Sequence, residues 1–506
     1  MTQPFSRRDF GAIAMLAAAG GLLPLRHAQA KKADGRMVVA IPADVLTLDP
    51  SRDISLGGVS LFGNLYERLT EIQGDGTVIG WLAESWKASD DATVWDFKIR
   101  ASGPKFHDGT PVTVDDVLWT FNYVLNDSTA PGRPYFGMVN TIEKVGGDTI
   151  RFTLKRPFAP FERQASLVCI LPKAYYEKVG AAEFARNPVG SGAFKVTKWV
   201  RDDVMELAAN EGYWRGTPKV KTVVIKPIPA ETTRTAALSS GDVDIVALLP
   251  PAIVDRLSNN PAVNVVKIPS NRILYVGYNQ DVAPYGDLKL RQAMDLCINR
   301  EAIATRLIRG LGQPMGQMVG PKVFGYDPEI KPLTMDVARA KALVADSGYK
   351  GEKLVLQFPQ GNFAFGAEMA QAIANNIKSI GVNIDVQPLE NAAFYPMWAG
   401  NKFQGMYFFS MAPSSFDADV ALTNLYGTGS KGYYRSEQLD ALLAAQRAEI
   451  NPEKRKKIIS DIWKLSQAQV MYSPILVELH AYGLANGLEW EPRADLISLY
   501  RNAAWI

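Results

Sequence analysis

The chain has 506 residues, 47% of them hydrophobic and 21% charged, with 55 lysines and arginines against 52 aspartates and glutamates. That length leaves room for two or three domains, and the composition excludes a disordered chain or one that crosses a membrane many times. A net charge of +3 argues against a nucleic acid or other polyanionic partner, and two cysteines and three histidines exclude a disulfide scaffold and a Cys- or His-rich metal centre.

Arg7 and Arg8 precede an uncharged run over 10–25, followed by Ala28-Gln29-Ala30. A charged segment, an apolar segment and a small-x-small site form the layout of a secretory signal. Export with cleavage after Ala30 is therefore expected. Ser6-Arg7-Arg8-Asp9-Phe10 matches the twin-arginine pattern of proteins exported folded; ordinary secretion is the alternative. The apolar run is too short and too rich in Gly and Ala to span a bilayer, and no Cys follows it as a lipidation site. Without 1–30 the chain loses three basic residues, one acidic residue and His27, which leaves His107, His480 and a charge near zero. Cys169 and Cys297 are expected to be buried free thiols, with a bridge as the alternative.

Beyond the signal the pattern is mixed α/β. A strand is expected at 37–41, ending at Pro42, and another at 94–100, where apolar and polar residues alternate. Thr113 opens a helix with Asp116 in the capping-box position, and Val117, Phe121, Val124 and Leu125 form its buried stripe. A strand at 149–154 completes this first block. A second block, 187–268, holds strands at 204–207 and 220–228, a helix near 232–238, and a strand after Gly241. In a third block, Asp287 caps a helix carrying Leu290 and Met294, and 338–345 is helical. There a strand at 353–358, an amphipathic helix at 367–380 stopped by Gly381, and a strand at 382–386 predict a parallel pair in an α/β lobe. Asn451-Pro452 opens a last helix bearing Ile458, Ile462 and Leu465.

Catalytic motifs are scarce. Gly427, Gly429 and Gly432 spell GxGxxG, but no strand and opening helix flank them, so a loop is expected. His107 precedes the turn signal Asp108-Gly109 and reads as a structural turn residue; His480, in an apolar context, reads as packed. Asp417 and Asp419 could serve acid–base chemistry, yet their spacing fits a helix start equally well. The run 454–457 reads as a solvated helix face. Aromatics crowd one stretch, with Tyr395, Trp398, Phe403, Tyr407, Phe408, Phe409 and Phe416 beside Met397, Met406 and Met411. That stretch is either a core strand or a partly aromatic pocket wall.

Several strings together carry more. Phe97-Lys98-Ile99-Arg100, then Lys105-Phe106-His107-Asp108-Gly109-Thr110-Pro111-Val112-Thr113, then Asp115-Asp116-Val117 resembles the F-x-L-R…F-H-D-G-T-P-x-T-A-D-D-V signature of family 5 extracellular solute-binding proteins, with Val114 in place of Ala. These are dipeptide- and oligopeptide-type receptors of ABC importers. Leu65-Tyr66-Glu67-Arg68-Leu69, Leu82-Ala83-Glu84-Ser85-Trp86, Asn187-Pro188-Val189-Gly190-Ser191-Gly192, Asn210-Glu211-Gly212-Tyr213-Trp214-Arg215-Gly216 and Gly241-Asp242-Val243-Asp244 are similar to other blocks of that family, in order.

The resemblance implies a two-lobed, type II periplasmic binding-protein fold. Its first lobe is expected over 31–75 and 191–271, with an extra subdomain over 76–190. The second lobe is expected over 272–478, and 479–506 returns to the first. It also implies a monomeric, non-catalytic periplasmic receptor without cofactor, metal or stable membrane insertion. Such a receptor encloses a small organic solute, peptide or not, and delivers it to the transmembrane subunits of an ABC permease. An exported enzyme or chaperone-like protein on the same scaffold is the alternative. Peptide-binding members hold the α-amine with an Asp in a W-x-x-D-x-x-D-P-D-like stretch. Here 413–419 corresponds, which puts Ser414 in that place; a slip of three would put Asp417 there. A hydroxyl cannot supply the charge-assisted bond that a buried ammonium needs, so an oligosaccharide, opine or similar ligand stands beside a peptide. Two remaining histidines speak against a nickel site; haem or a metallophore stays among the alternatives. The candidates for ligand contact are Ser414, Phe409, Met411, Asp417, Gln360, Arg272 and Asp44.

Overall fold

The computed structural model describes residues 34–506; the export signal expected over 1–30 lies outside them. Two long antiparallel strands, Val263–Tyr278 and Tyr472–Ala485, form the axis of an eleven-stranded mixed sheet. At about 3.3 Å per residue, sixteen extended residues reach about 50 Å, enough to pass from one half of the molecule into the other. On one side of this axis lie Ile245–Val246, Arg36–Ile41, Thr222–Pro227, Val204–Ala209 and Phe194–Val200. On the other lie Met406–Met411, Leu354–Pro359 and Ile384–Leu389, and the eleventh, Gly312–Pro314, pairs with Tyr472–Ala485 off this path.

The first set joins the axis near Leu484 and Gly483, and the second joins it over Ile273–Tyr278. Between these attachments the register slips from Pro269 to Ile273. Proline has no N–H for the ladder, and an irregularity of this kind bends a strand locally. Separate apolar cores flank the break. One gathers Met37, Phe62, Phe194, Val223 and Tyr482, and the other gathers Tyr275, Met294, Leu356, Ile373 and Trp463.

A third core belongs to a four-stranded antiparallel sheet ordered Ala83–Ala88, Val94–Ile99, Thr149–Leu154 and Val139–Val145. The helix Val114–Asn126 packs on it through Val117 and Phe121, and the Phe121 and Phe152 rings lie 4.9 Å apart. Thr113 and Asp116 cap that helix reciprocally, as their spacing predicts. The C-terminal segment folds back on the first core through Trp490 and Tyr500, and Trp505 Nε1 donates to the Arg36 carbonyl at 3.0 Å.

In the second half, Leu354–Pro359, the helix Gly366–Ser379 and Ile384–Leu389 make the predicted strand–helix–strand unit with a parallel pair. Gly381 sits at φ +90°, the left-handed conformation that ends the helix. Cys169 and Cys297 are free and buried.

One of the two readings left open for the aromatic stretch is decided for its strand, and one expectation needs correction. Met406–Met411 is a core strand. It runs between two neighbours inside the sheet, and all its residues but Ser410 are buried, so both faces are packed as well as both edges paired. Phe409 therefore packs among Phe394, Tyr395, Trp398 and Tyr275, and Tyr407 stacks on Phe403 at 4.3 Å. Within the 454–457 run, Arg455 turns inward rather than facing solvent, because a buried carboxylate awaits it.

Candidate functional site

The two halves face each other across a cleft with two connected arms. The larger, about 740 Å³, is lined from the first half by residues such as Asp44, Leu46, Leu56 and Leu248, and from the second by Asn362, Phe363 and Phe365. The smaller, about 450 Å³, adds Arg68, Glu71, Cys169, Asn271, Ser414 and Arg493. Leu56, Arg272, His480 and Leu496 belong to both arms. A mostly apolar concave site with a few placed polar groups is the usual form of a small-ligand site.

Two features mark the cleft beyond its shape. Large apolar side chains are exposed along it: Leu46 is 66% accessible, Leu56 46% and Leu248 47%, with Ile54 beside them. Clustered exposed apolar surface signals an interaction site. Leu248, Phe365 and Leu496 also hold φ of +57°, +57° and +64°. Each such conformation costs a side-chain-bearing residue about 1–3 kcal/mol and persists only where the surroundings enforce it. All three lie on the cleft wall.

The crossing strands supply the polar centre. Arg272 Nε lies 3.5 Å from Glu478 Oε2. Burial pushes the Glu478 carboxyl up, and Arg272 opposes that. Next along the same strand, His480 is pushed down to about 4 by burial and by the Arg272 charge, so its ring is neutral at physiological pH. Its Nδ1 is buried without a partner.

Of the seven sequence candidates, Arg272, Asp44 and Ser414 line the cleft. Asp44 is occupied, since its carboxylate accepts from Val45 N, Trp199 Nε1 and Asp202 N at 2.8, 3.0 and 2.9 Å. Ser414 is exposed on the smaller arm. The others are not among the lining residues. Phe409 belongs to the second core, and Met411 is buried beside Ile273 in the sheet. Gln360 is exposed past the end of Leu354–Pro359, and its N–H donates to the Leu389 carbonyl. Asp417 is wholly buried. Arg455 donates to both its oxygens at 2.7 and 2.6 Å, and Arg163 stands 3.5 Å away. Burial would raise its carboxyl, but Arg455 and then Arg163 outweigh this and hold it below the usual range.

The remaining motif residues are structural. The N–H of Gly190 donates to His107 Nδ1 at 3.2 Å and His107 Nε2 lies 3.1 Å from the Gly192 carbonyl, which pins two loops together. GxGxxG forms a loop, and the next helix begins only at Glu437, capped by Ser436. Among the described residues no three His, Cys, Asp or Glu side chains are grouped to hold a metal, and no helix is long and apolar enough to cross a membrane.

Sequence reasoning missed Arg68, the exposed leucines and the cleft position of His480. Arg68 did leave a signal: with Glu67 it places two charges inside the apolar run Leu65–Leu69.

Comparison with known proteins agrees with this geometry. Residues 77–433 match the family described as bacterial extracellular solute-binding proteins, family 5 middle. The chain is 30% identical over 309 residues to the dipeptide-binding protein of Escherichia coli strain K12, spanning 56% of this chain and 58% of that one. It is 28% identical over 451 residues to the probable D,D-dipeptide-binding periplasmic protein DdpA of the same organism, 86% of each chain. The solved structure of HbpA2 from Haemophilus parasuis superposes with a TM-score of 0.85 at 21% identity, covering 93% of this chain and 100% of the other.

Proposed function

The chain belongs to the bacterial extracellular solute-binding proteins of family 5, the binding components of ABC importers, and on that premise we propose that the cleft around Arg272, Ser414 and Asp44 is its ligand site. A small organic solute enters between the halves, the crossing strands bend, and the closed form meets the transmembrane subunits of the permease. The lobes divide at 271/272 and 478/479, beside the register slip, with 76–190 as the added subdomain. The protein acts in the periplasm as a monomer, after cleavage of its signal at Ala30, and leaves its ligand chemically unchanged.

One observation carries this reading: a cleft lined from both halves, with exposed leucines and strained backbone along its wall. Saturable thermal stabilisation by a solute that is recovered intact is the expected result. Turnover of that solute would favour an exported enzyme instead.

The residue at 414 bears on ligand class. Ser414 offers the cleft a hydroxyl, and Asp417 is spent on Arg455, so this segment presents no carboxylate to an amine. Free-amine peptides and their N-acetyl forms should bind within a few-fold of each other. Ser414→Asp should then favour the free amine by tenfold or so, the size of one charge-assisted bond. Strong preference for the free amine in the unaltered protein would refute this.

A further inference from the structure

Resting on the receptor reading above, we propose that the smaller arm of the cleft is a carboxylate-binding subsite, with Arg68 as the anchoring cation and Arg272 and His480 facing the same space from the crossing strands. The arm of about 450 Å³ brings Arg68, Arg272, Arg493 and His480 together with Asp53, Glu71 and Asp495. All but Arg68 and His480 have an ion-pair or hydrogen-bond partner; among the described residues Arg68 is left with the Cys169 thiol and no ion pair. Glu71 pairs with Arg501 and accepts from Gln73 Nε2 at 3.0 Å. Asp495 takes two donors of Arg493, at 3.1 and 2.7 Å, and the Ile497 N–H at 3.1 Å. Arg493 gives a further donor to the Ile72 carbonyl at 2.9 Å. Asp53 accepts from the N–H and hydroxyl of Ser55 at 2.7 and 3.0 Å.

Arg68 is the exception. Its Nε is buried with no partner. Among the described residues no carboxylate lies within ion-pair distance of it, and its side-chain contact is the Cys169 thiol. Burial opposes its charge, and Cys169, Glu71 and Asp495 outweigh that, so it stays charged. His480, 7% exposed, likewise has a buried Nδ1 without a partner. The Arg272–Glu478 separation of 3.5 Å exceeds a hydrogen-bonded pair.

The Arg68 guanidinium is partly exposed on this arm and has no ion-pair partner among the described residues, so it is placed to take a counterion from the cleft. Its planar fork matches a carboxylate, which takes two parallel N–H bonds. A neutral imidazole can donate one more without adding charge. Asp53, Glu71 and Asp495 on the same wall repel a dianion such as phosphate, so a singly charged carboxylate is the fitting ligand group. It is either a peptide C-terminus or the acid of a non-peptide solute.

Calorimetric titration of the whole exported protein tests this, using Ala-Leu, Ala-Ala-Leu and octanoate against their amides, with maltose and spermidine as uncharged and cationic solutes. At least one acid should bind about tenfold or more tightly than its amide, and which acid does so separates the peptide from the non-peptide source. Arg68→Gln should weaken that acid about 30-fold and abolish the acid–amide difference; Arg272→Gln should reduce it. The ligand-free melting temperature of Arg68→Gln should change little, because Arg68 forms no ion pair among the described residues of the folded protein. A large drop would instead make Arg68 structural and overturn the proposal. Equal binding of acids and amides, a difference that survives Arg68→Gln, or binding of maltose or spermidine alone would also overturn it while leaving the receptor reading intact. Binding by no class of solute would overturn both.

Discussion

Glu67 and Arg68 are adjacent in sequence; burial opposes the charge of both, but their neighbours rescue only that of Arg68. Arg68 stays charged, whereas the Glu67 carboxyl is pushed up to about 8, first by burial, with Tyr213 opposing and Glu71 adding. One of its oxygens has no partner. The folded protein therefore holds a proton here that the unfolded chain releases above the ordinary value of 4.5. Stability must fall as pH rises from there to about 8, by at most about 1.4 kcal/mol per pH unit from this group. Glu67→Gln should leave stability unchanged near the low end of that window and raise it above the high end. Urea midpoints measured at both ends check this, and other titrating groups cancel in the difference between the two proteins. An unchanged pH slope would show that Glu67 is ionised in the fold.

Among the elements, the contact between the helices Ala418–Leu425 and Pro452–Gln469 shows why a site candidate turned out to be scaffold. Asp417 caps the first helix through the Asp419 N–H and is gripped by Arg455 from the second. Asp417→Asn leaves a buried guanidinium short of its counterion, a loss of about 3–5 kcal/mol. Asp417→Leu with Arg455→Met should recover much of it. Ligand affinity of the folded protein should barely move, since Asp417 does not line the cleft; a large affinity loss at unchanged stability would contradict that placement. The same pair explains what the sequence could reveal. Thr113 with Asp116, Gly381 after its helix, and Asn451 before Pro452 are legible because each cap joins residues within a few positions. Arg455 sits in a basic run that looks solvated, and its partner is 38 positions away. Arg68, His480 and Leu248 stayed hidden for a similar reason, as the cleft that gives them meaning joins segments remote in sequence. Phe409 misled because an aromatic strand reads alike whether its neighbours are core helices or a ligand.

For the molecule as a whole, the proposed closure would act on two cores that, among the described residues, are joined by the crossing pair of strands and by side contacts. The segment 76–190, proposed as a subdomain, touches the second half through Arg163, which donates to the Phe416 carbonyl, and through the Ala159 N–H on the Arg447 carbonyl. These contacts lie beside the axis. Asn271 reinforces them, with its N–H on the Ala494 carbonyl and its side chain on the Pro413 carbonyl at 3.0 Å. Bending at 269–273 can therefore swing the halves without parting this edge, and it brings Leu46, Leu56 and Leu248 toward the opposite wall. Burial of that apolar surface predicts a negative heat-capacity change on binding, larger than the ligand's own area accounts for. Calorimetry across several temperatures, with any solute that raises the melting temperature, measures it directly. Small-angle scattering of the same complex should show a smaller radius of gyration than the free protein. An unchanged scattering curve together with a heat-capacity change no larger than the ligand's share would mean that the cleft receives its solute as a rigid groove, and that the slip between Pro269 and Ile273 is a local irregularity rather than a hinge.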